Sequence, residues 1–225
     1  MRVLIFGASG MVGQGVLREC VQDAAVIDVL CVGRSALPRV SGKVKELVCG
    51  DLFDLTTVEG QLAGFDACFF CLGVSSGGMS EPEYRRLTYD LTLSIARTLV
   101  RLNPGMIFEY VSGASTDSTE KGSTMWARVK GQTENALLGL GFKGAYMFRP
   151  GMIQPLDGIQ SKTKSYRILY SILGPLLPLL KRLFPKYVTS TQEVGRAMIA
   201  VAKHGYAKTV IEADEIGAIA MGHSG

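Results

Sequence analysis

The segment Val3-Leu4-Ile5-Phe6-Gly7-Ala8-Ser9-Gly10-Met11-Val12-Gly13 constrains this chain more than any other. Apolar residues run into glycines spaced three apart, and a helix-period segment follows. A buried strand that turns sharply into a helix needs this pattern. Gly7 permits the tight turn, Gly10 lets backbone approach a ligand diphosphate, and Gly13 lets the helix pack on the strand. The helix's unpaired N–H groups and positive dipole end then face the phosphates. Gly7, Ser9, Gly10, Met11, Val12 and Gly13 are therefore the first candidate ligand-binding residues.

The rest of the chain repeats the same rhythm. Short β-branched and aromatic runs at Arg2–Phe6, Ile27–Val32, Val44–Val48, Ala67–Leu72, Met106–Val111 and Ala145–Arg149 read as strands. Several are apolar at consecutive positions, as strands buried on both faces of a parallel sheet are. Helix-period segments cover Val12–Cys20, Thr57–Leu62, Glu83–Leu102 and Met125–Leu138, with a late helix at Thr191–Lys203 opened by a Thr cap. The expected order is βαβαβαβαβαβ, a doubly wound, mostly parallel α/β sheet in one domain spanning 1–225. At 225 residues a second large domain is not expected.

Charge and cysteine content narrow the function classes. Twenty-four basic and 20 acidic residues leave a net charge of +4, too mild to imply nucleic acid. The five cysteines are odd in number and lie mostly in apolar, strand-like stretches. Reduced core thiols in a cytoplasmic protein are the expectation. The N-terminal apolar run is too short for an export signal, and the longest apolar stretch, Ile168–Leu180, is interrupted by Gly174, Pro175 and Pro178, short of the ~20 residues that span a bilayer. No transmembrane segment is expected. His204 and His223 have no cluster of further ligands at metal spacing, so no metal site is expected. Cys68-Phe-Phe-Cys71 has redox-motif spacing, but within a strand its two thiols face opposite sides.

The second strand end distinguishes the two nicotinamide coenzymes. A carboxylate there holds a ribose 2′-hydroxyl, and a cation holds a 2′-phosphate. The chain offers Cys31-Val32-Gly33-Arg34-Ser35 with no acid at that end, and the planar guanidinium of Arg34 grips phosphate in bidentate fashion. NADP(H) is favoured over NAD(H). Asp51 and Leu52 after the third strand suit the adenine, and Leu72-Gly73 after the fourth suits the adenosine ribose.

Taken with Tyr110-Val111-Ser112, the Lys130-Gly131 helix, Arg149-Pro150-Gly151 and the late Val194-Gly195-Arg196 helix, these residues resemble the extended and atypical short-chain dehydrogenase/reductases, in particular their small Tat-interacting-protein-like and NmrA-like members. The resemblance implies a Rossmann fold, a nicotinamide cofactor, hydride transfer, and homodimerisation through Glu83–Leu102 and Met125–Leu138. It also implies a Tyr-x-x-x-Lys pair on one helix face, with Lys on the cofactor ribose and Tyr exchanging a proton with substrate. Here the string is Trp126-Ala127-Arg128-Val129-Lys130, so Lys130 is kept and Trp126 replaces the phenol. An indole N–H does not exchange a proton near neutrality. The family hydroxyl falls on Ser112 or Ser115, the register being open. Trp126 lines the pocket or packs as a core aromatic, with Tyr166, Tyr170 or water as substitute acid. Pro150 and Met152 are placed by the same resemblance at the nicotinamide end.

Between Gly158 and Gln192 there is no acid, yet six cations (Lys162, Lys164, Arg167, Lys181, Arg182, Lys186) accompany many leucines. A helical substrate-side insertion over 151–190 is the reading adopted, its cations able to attract a small anionic substrate, with an acidic partner or a membrane surface as alternatives. The functional expectation is an NADP(H)-dependent oxidoreductase acting on a small organic acceptor. A cofactor-sensing regulator and a nucleotide-sugar epimerase or dehydratase are the rivals.

Overall fold

A computed structural model describes residues 1–37, 42–156, 158–159 and 187–222. The chain runs β1 (Arg2–Phe6), α1 (Met11–Gln22), β2 (Asp28–Gly33), β3 (Val44–Val48), a 3₁₀ turn at Thr56–Val58, α2 (Glu59–Leu62), β4 (Ala67–Phe70), α3 (Glu81–Arg85), a π turn at Arg86–Asp90, α4 (Leu91–Leu102), β5 (Ile107–Val111), α5 (Met125–Leu138), β6 (Gly144–Arg149), β7 (Met152–Gln154), β8 (Val188–Ser190), α6 (Thr191–His204), β9 (Val210–Glu212) and α7 (Ala213–Ala220). Seven strands form one parallel sheet in the order β3-β2-β1-β4-β5-β6-β9. The chain reverses direction of winding between β1 and β4, and ligands of such sheets bind at the strand C-termini beside that switch point.

Both faces of the sheet are covered at its centre, which is why β1, β2 and β4 are apolar at consecutive positions, whereas edge strand β3 exposes Lys45 and Glu46. On one face Leu4, Phe6, Cys68, Phe70, Phe108 and Tyr110 pack under α4 and α5 through Ile95, Leu99 and Leu137. On the other, Val3, Ile5, Cys31 and Phe69 meet α1 and α6 through Val16, Cys20, Val194 and Met198. Cys68 and Cys71 thus belong to opposite faces, and all five cysteines are free.

Several expectations are corrected. No helix separates β2 from β3 among the described residues, so the alternation is broken there. The late helix is capped by Ser190, not by Thr191: Ser190 Oγ accepts from the Glu193 N–H at 3.1 Å and Glu193 Oε2 accepts from the Ser190 N–H at 2.8 Å, a reciprocal cap. The described ends of the expected helical insertion are strands: β7 and β8 pair in parallel as a second, two-stranded sheet. The cationic and leucine-rich part of that insertion, with Tyr166 and Tyr170, lies outside the described residues, as does His223. Strand β9 and helix α7 go beyond the six strands and five helices expected. Among the described residues no helix is long and apolar enough to cross a membrane, and no group of side chains is placed to hold a metal ion.

One core residue breaks the apolar rule. Glu109, in the middle of β5 between Phe69 and Tyr146, is fully buried, and neither carboxyl oxygen has a hydrogen-bond partner among the described residues. Burial pushes its pKa well above the ordinary value, so the folded chain holds it neutral. Its folded pKa is raised, so the unfolded chain releases the proton first and stability drains away as pH rises above the ordinary carboxyl range. Glu109→Gln, which keeps shape and removes the titration, is expected to be more stabilising at pH 8 than at pH 5, read as the shift in urea midpoint. An equal effect at both pH values would contradict a neutral buried carboxyl.

Candidate functional site

The glycine turn is shaped by close approach on two sides. Gly7 adopts φ +82°, and a Cβ there would lie 2.7 Å from the Leu72 amide nitrogen. A Cβ on Gly13 would lie 2.2 Å from the Gly7 carbonyl oxygen. Strand β1, the exit from β4 and the first turn of α1 therefore touch through bare backbone. Gly10, the N-cap, supplies no side chain to satisfy the first turn of α1, and that turn holds no acidic residue. Its N–H groups and positive end are left to an anion.

Two clefts open on this turn. The smaller, about 120 Å³, is lined by Gly7, Ser9, Arg34, Glu46, Leu52 and Leu72 among others. The larger, about 480 Å³, runs from Ser9, Gly10, Met11 and Val12 past Leu72 and Gly73 to Ser112, Lys130, Pro150 and Ile153. Gly7, Ser9, Arg34 and Leu72 border both. Arg34 is exposed at the end of β2 and makes no ion pair among the described residues. Asp28 sits at the opposite end of that strand, where it meets Arg2 at 3.3 Å and Lys45 at 3.2 Å.

Four expected residues stand apart from the described lining. Asp51 is exposed and its Oδ1 accepts from the Phe53 N–H at 2.8 Å, an Asx turn in place of a ligand contact. Met152 is exposed on β7 while its neighbour Ile153 lines the cleft. Ser115 is exposed with φ +65°, so Ser112 is the cleft hydroxyl. Trp126, half-buried in the first turn of α5, does not reach the described lining, whereas Lys130 one turn later does. Gly13 serves packing and not the lining itself.

Behind the cleft lies a charged cluster joining four elements. Lys130 Nζ donates to the Ser112 carbonyl, and Ser112 Oγ donates to Glu134 with the Phe148 carbonyl as a second acceptor at 3.1 Å. Glu134 is 1% exposed and receives both Nε, at 3.1 Å, and Nη2 of Arg149. Arg149 also reaches Glu212 of β9 at 3.2 Å and Ser118. Burial works against the Arg149 charge, but Glu134 and then Glu212 hold its pKa above the ordinary value. Burial pushes Lys130 down to about 8, with Glu134 opposing. Burial pushes the Cys71 thiol up, so it stays protonated in the cleft wall.

Two functional candidates were missed from sequence. Glu134 stands one helical turn after Lys130, a spacing that places both on one face, but its partner Arg149 is on a distant strand. Glu46 enters the smaller cleft because β3 pairs with β2 in the register Cys31↔Glu46. It accepts from the Leu37 amide. Register of that kind is set by tertiary pairing and leaves no mark in local sequence.

No family model matches the chain. A mitochondrial protein called fmp52 of Emericella nidulans is 26% identical over 158 residues, 67% of this chain and 66% of its own length. Another, fmp52-2 of Aspergillus terreus, is 24% identical over 203 residues, covering 88% of this chain and 85% of that one. Among solved structures, a short-chain dehydrogenase family protein from Francisella tularensis superposes with a TM-score of 0.66 at 16% identity, covering 91% of each chain. MoeE5, solved with UDP-glucose and NAD, gives 0.65 at 16% identity over 99% of this chain and 81% of its own. The chain has the Rossmann-type fold of these solved structures. The cytoplasmic expectation is overturned by the fungal relatives, which are mitochondrial by name.

The buried pair gives a direct test. Arg149→Met leaves Glu134 buried without its guanidinium and is expected to cost about 3–5 kcal/mol by chemical denaturation, whereas the double change Glu134→Gln with Arg149→Met recovers much of that loss. Strict additivity would contradict the coupling.

Proposed function

We propose that the chain binds NADP(H) across the two clefts and transfers hydride between the coenzyme and a small organic molecule. The observation that carries this reading is the shared border: Ser9 and Arg34 line both cavities, and the uncapped first turn of α1 lines the larger one. The main-chain N–H groups of Met11 and Val12 are suited to the diphosphate, the Gly10 N–H being spent on the Gly7 carbonyl at 2.9 Å; Arg34 is suited to the adenosine 2′-phosphate, and Leu52 and Leu72 to the adenine side. Lys130, Ser112 and Pro150 border the other end, where the coenzyme would supply a hydride. Asp51, Ser115, Trp126 and Met152 stand off the described lining and are not assigned contacts. The six cations between Gly158 and Gln192, with no acid among them, support an anionic small molecule as the substrate class.

Glu46 is the local argument for NAD(H), since a carboxylate there would hold a ribose hydroxyl. Its engagement by the Leu37 amide and the exposed guanidinium beside it favour the phosphorylated coenzyme. The absence of a phenol from the described cleft favours one second reading, a coenzyme-sensing protein without turnover.

Calorimetry is expected to show tighter binding of NADPH than of NADH. Arg34→Ala should remove about 10–100-fold of NADPH affinity, as loss of a charge-assisted phosphate contact does, and leave NADH unchanged. Tighter NADH binding would overturn the coenzyme assignment. Following reduced-nicotinamide absorbance with quinones, flavins and aldehydes tests turnover. Binding with no consumption across that panel supports the sensor.

A further inference from the structure

We propose that the Lys130 ammonium is the proton donor of the larger cleft, filling the role for which Trp126 leaves no phenol. The inference rests on the hydride-transfer reading above, and it starts from a census of the cleft wall. Among the described lining residues, the side chains that carry an ionisable group are Arg34, Cys71 and Lys130. A guanidinium does not give up its proton in a protein. The Cys71 thiol is pushed up and stays protonated. No described tyrosine lines the cleft, and Tyr84 and Tyr110 are deep in the core.

The neighbouring hydroxyl is already committed. Ser112 has one hydrogen, and it is directed at Glu134 or the Phe148 carbonyl, so toward the cleft Ser112 offers lone pairs. Lys130 uses one N–H on the Ser112 carbonyl, leaving two for the cleft. The charges around it come from every neighbouring element. Glu134 lies one turn along α5, Arg149 of β6 is held by Glu134 and Glu212 of β9, Arg34 stands across the cleft at the end of β2, and Cys71 beyond β4 is neutral. Glu134 is therefore shared between two cations, and burial wins over its pull, leaving Lys130 at about 8. Below that pH the amine carries its proton; above it the donor is lost.

The step balances as follows. The acceptor carbon gains the hydride that the reduced nicotinamide supplies, its carbon–oxygen π pair moves to oxygen, and that oxygen takes a proton from Nζ. Lys130 is left as a neutral amine and recovers a proton from water.

The test has an arm that needs no turnover. In the full chain labelled with ¹³C-lysine, Cε shifts are expected to show one lysine titrating near pH 8, absent from Lys130→Met. If every lysine titrates near the ordinary ~10.4, the proposal is overturned. In the kinetic arm, NADPH consumption with a quinone or an aromatic aldehyde should fall about tenfold per pH unit above pH 8. Lys130→Met should lower kcat by about 10²–10⁴-fold. Lys130→Arg keeps the charge and the Ser112 contact and should restore NADPH affinity without restoring kcat. Normal kcat in either variant, or an alkaline limb that does not depend on Lys130, overturns the proton assignment alone. Failure of the wild-type chain to bind NADPH, or to consume it with any acceptor, removes the hydride-transfer reading beneath it as well.

Discussion

Backbone packed against backbone at the glycine turn holds the rest of the structure in place. A side chain at Gly13 would collide with the Gly7 carbonyl, and one at Gly7 with the exit of β4, so these segments sit at separations no other residue allows. The same economy fixes the far side of α1. A Cβ on Gly15 would lie 2.6 Å from the Thr191 side chain, and one on Gly195 3.1 Å from the Val16 Cα. Helix α1 is thus seated between β1 and α6 by four glycines, and its uncapped N-terminus is aimed at the switch point of the sheet. Small shifts of α1 would move its first-turn amides away from the larger cleft.

Much of this was legible in sequence because it is local. The strands at Arg2–Phe6 and Val44–Val48 and the helix at Met125–Leu138 have the bounds expected of them, since apolar runs and helical periods are written in neighbouring residues. The glycine spacing gave the turn for the same reason. What escaped depends on contacts between distant segments. Whether Ser112 or Ser115 faces the cleft is decided by the strand end and by a left-handed residue at 115. Glu46 arrives through strand register, and Glu134 gains its meaning from Arg149. Strand β9 has three residues, too few for any periodicity.

Two buried glutamates show how environment separates identical side chains. Glu134 is held between Arg149 and the Ser112 hydroxyl, and it organises the floor of the larger cleft. Glu109 is surrounded by apolar strands and thiols, and it is kept neutral by that isolation. The first couples α5, β5, β6 and β9 at the end of the sheet where chemistry would occur. The second sits in β5, three residues before Ser112.

The central claim is that main-chain amides of the glycine turn hold a diphosphate. Amide ¹H–¹⁵N spectra of the full chain during titration with ADP-ribose, which carries the diphosphate but neither nicotinamide nor 2′-phosphate, test it most directly. The account predicts saturable shifts at Ser9, Gly10, Met11 and Val12, largest in the first turn of α1. Saturable shifts confined to other surfaces, or a turn that stays silent at millimolar ligand, would contradict it.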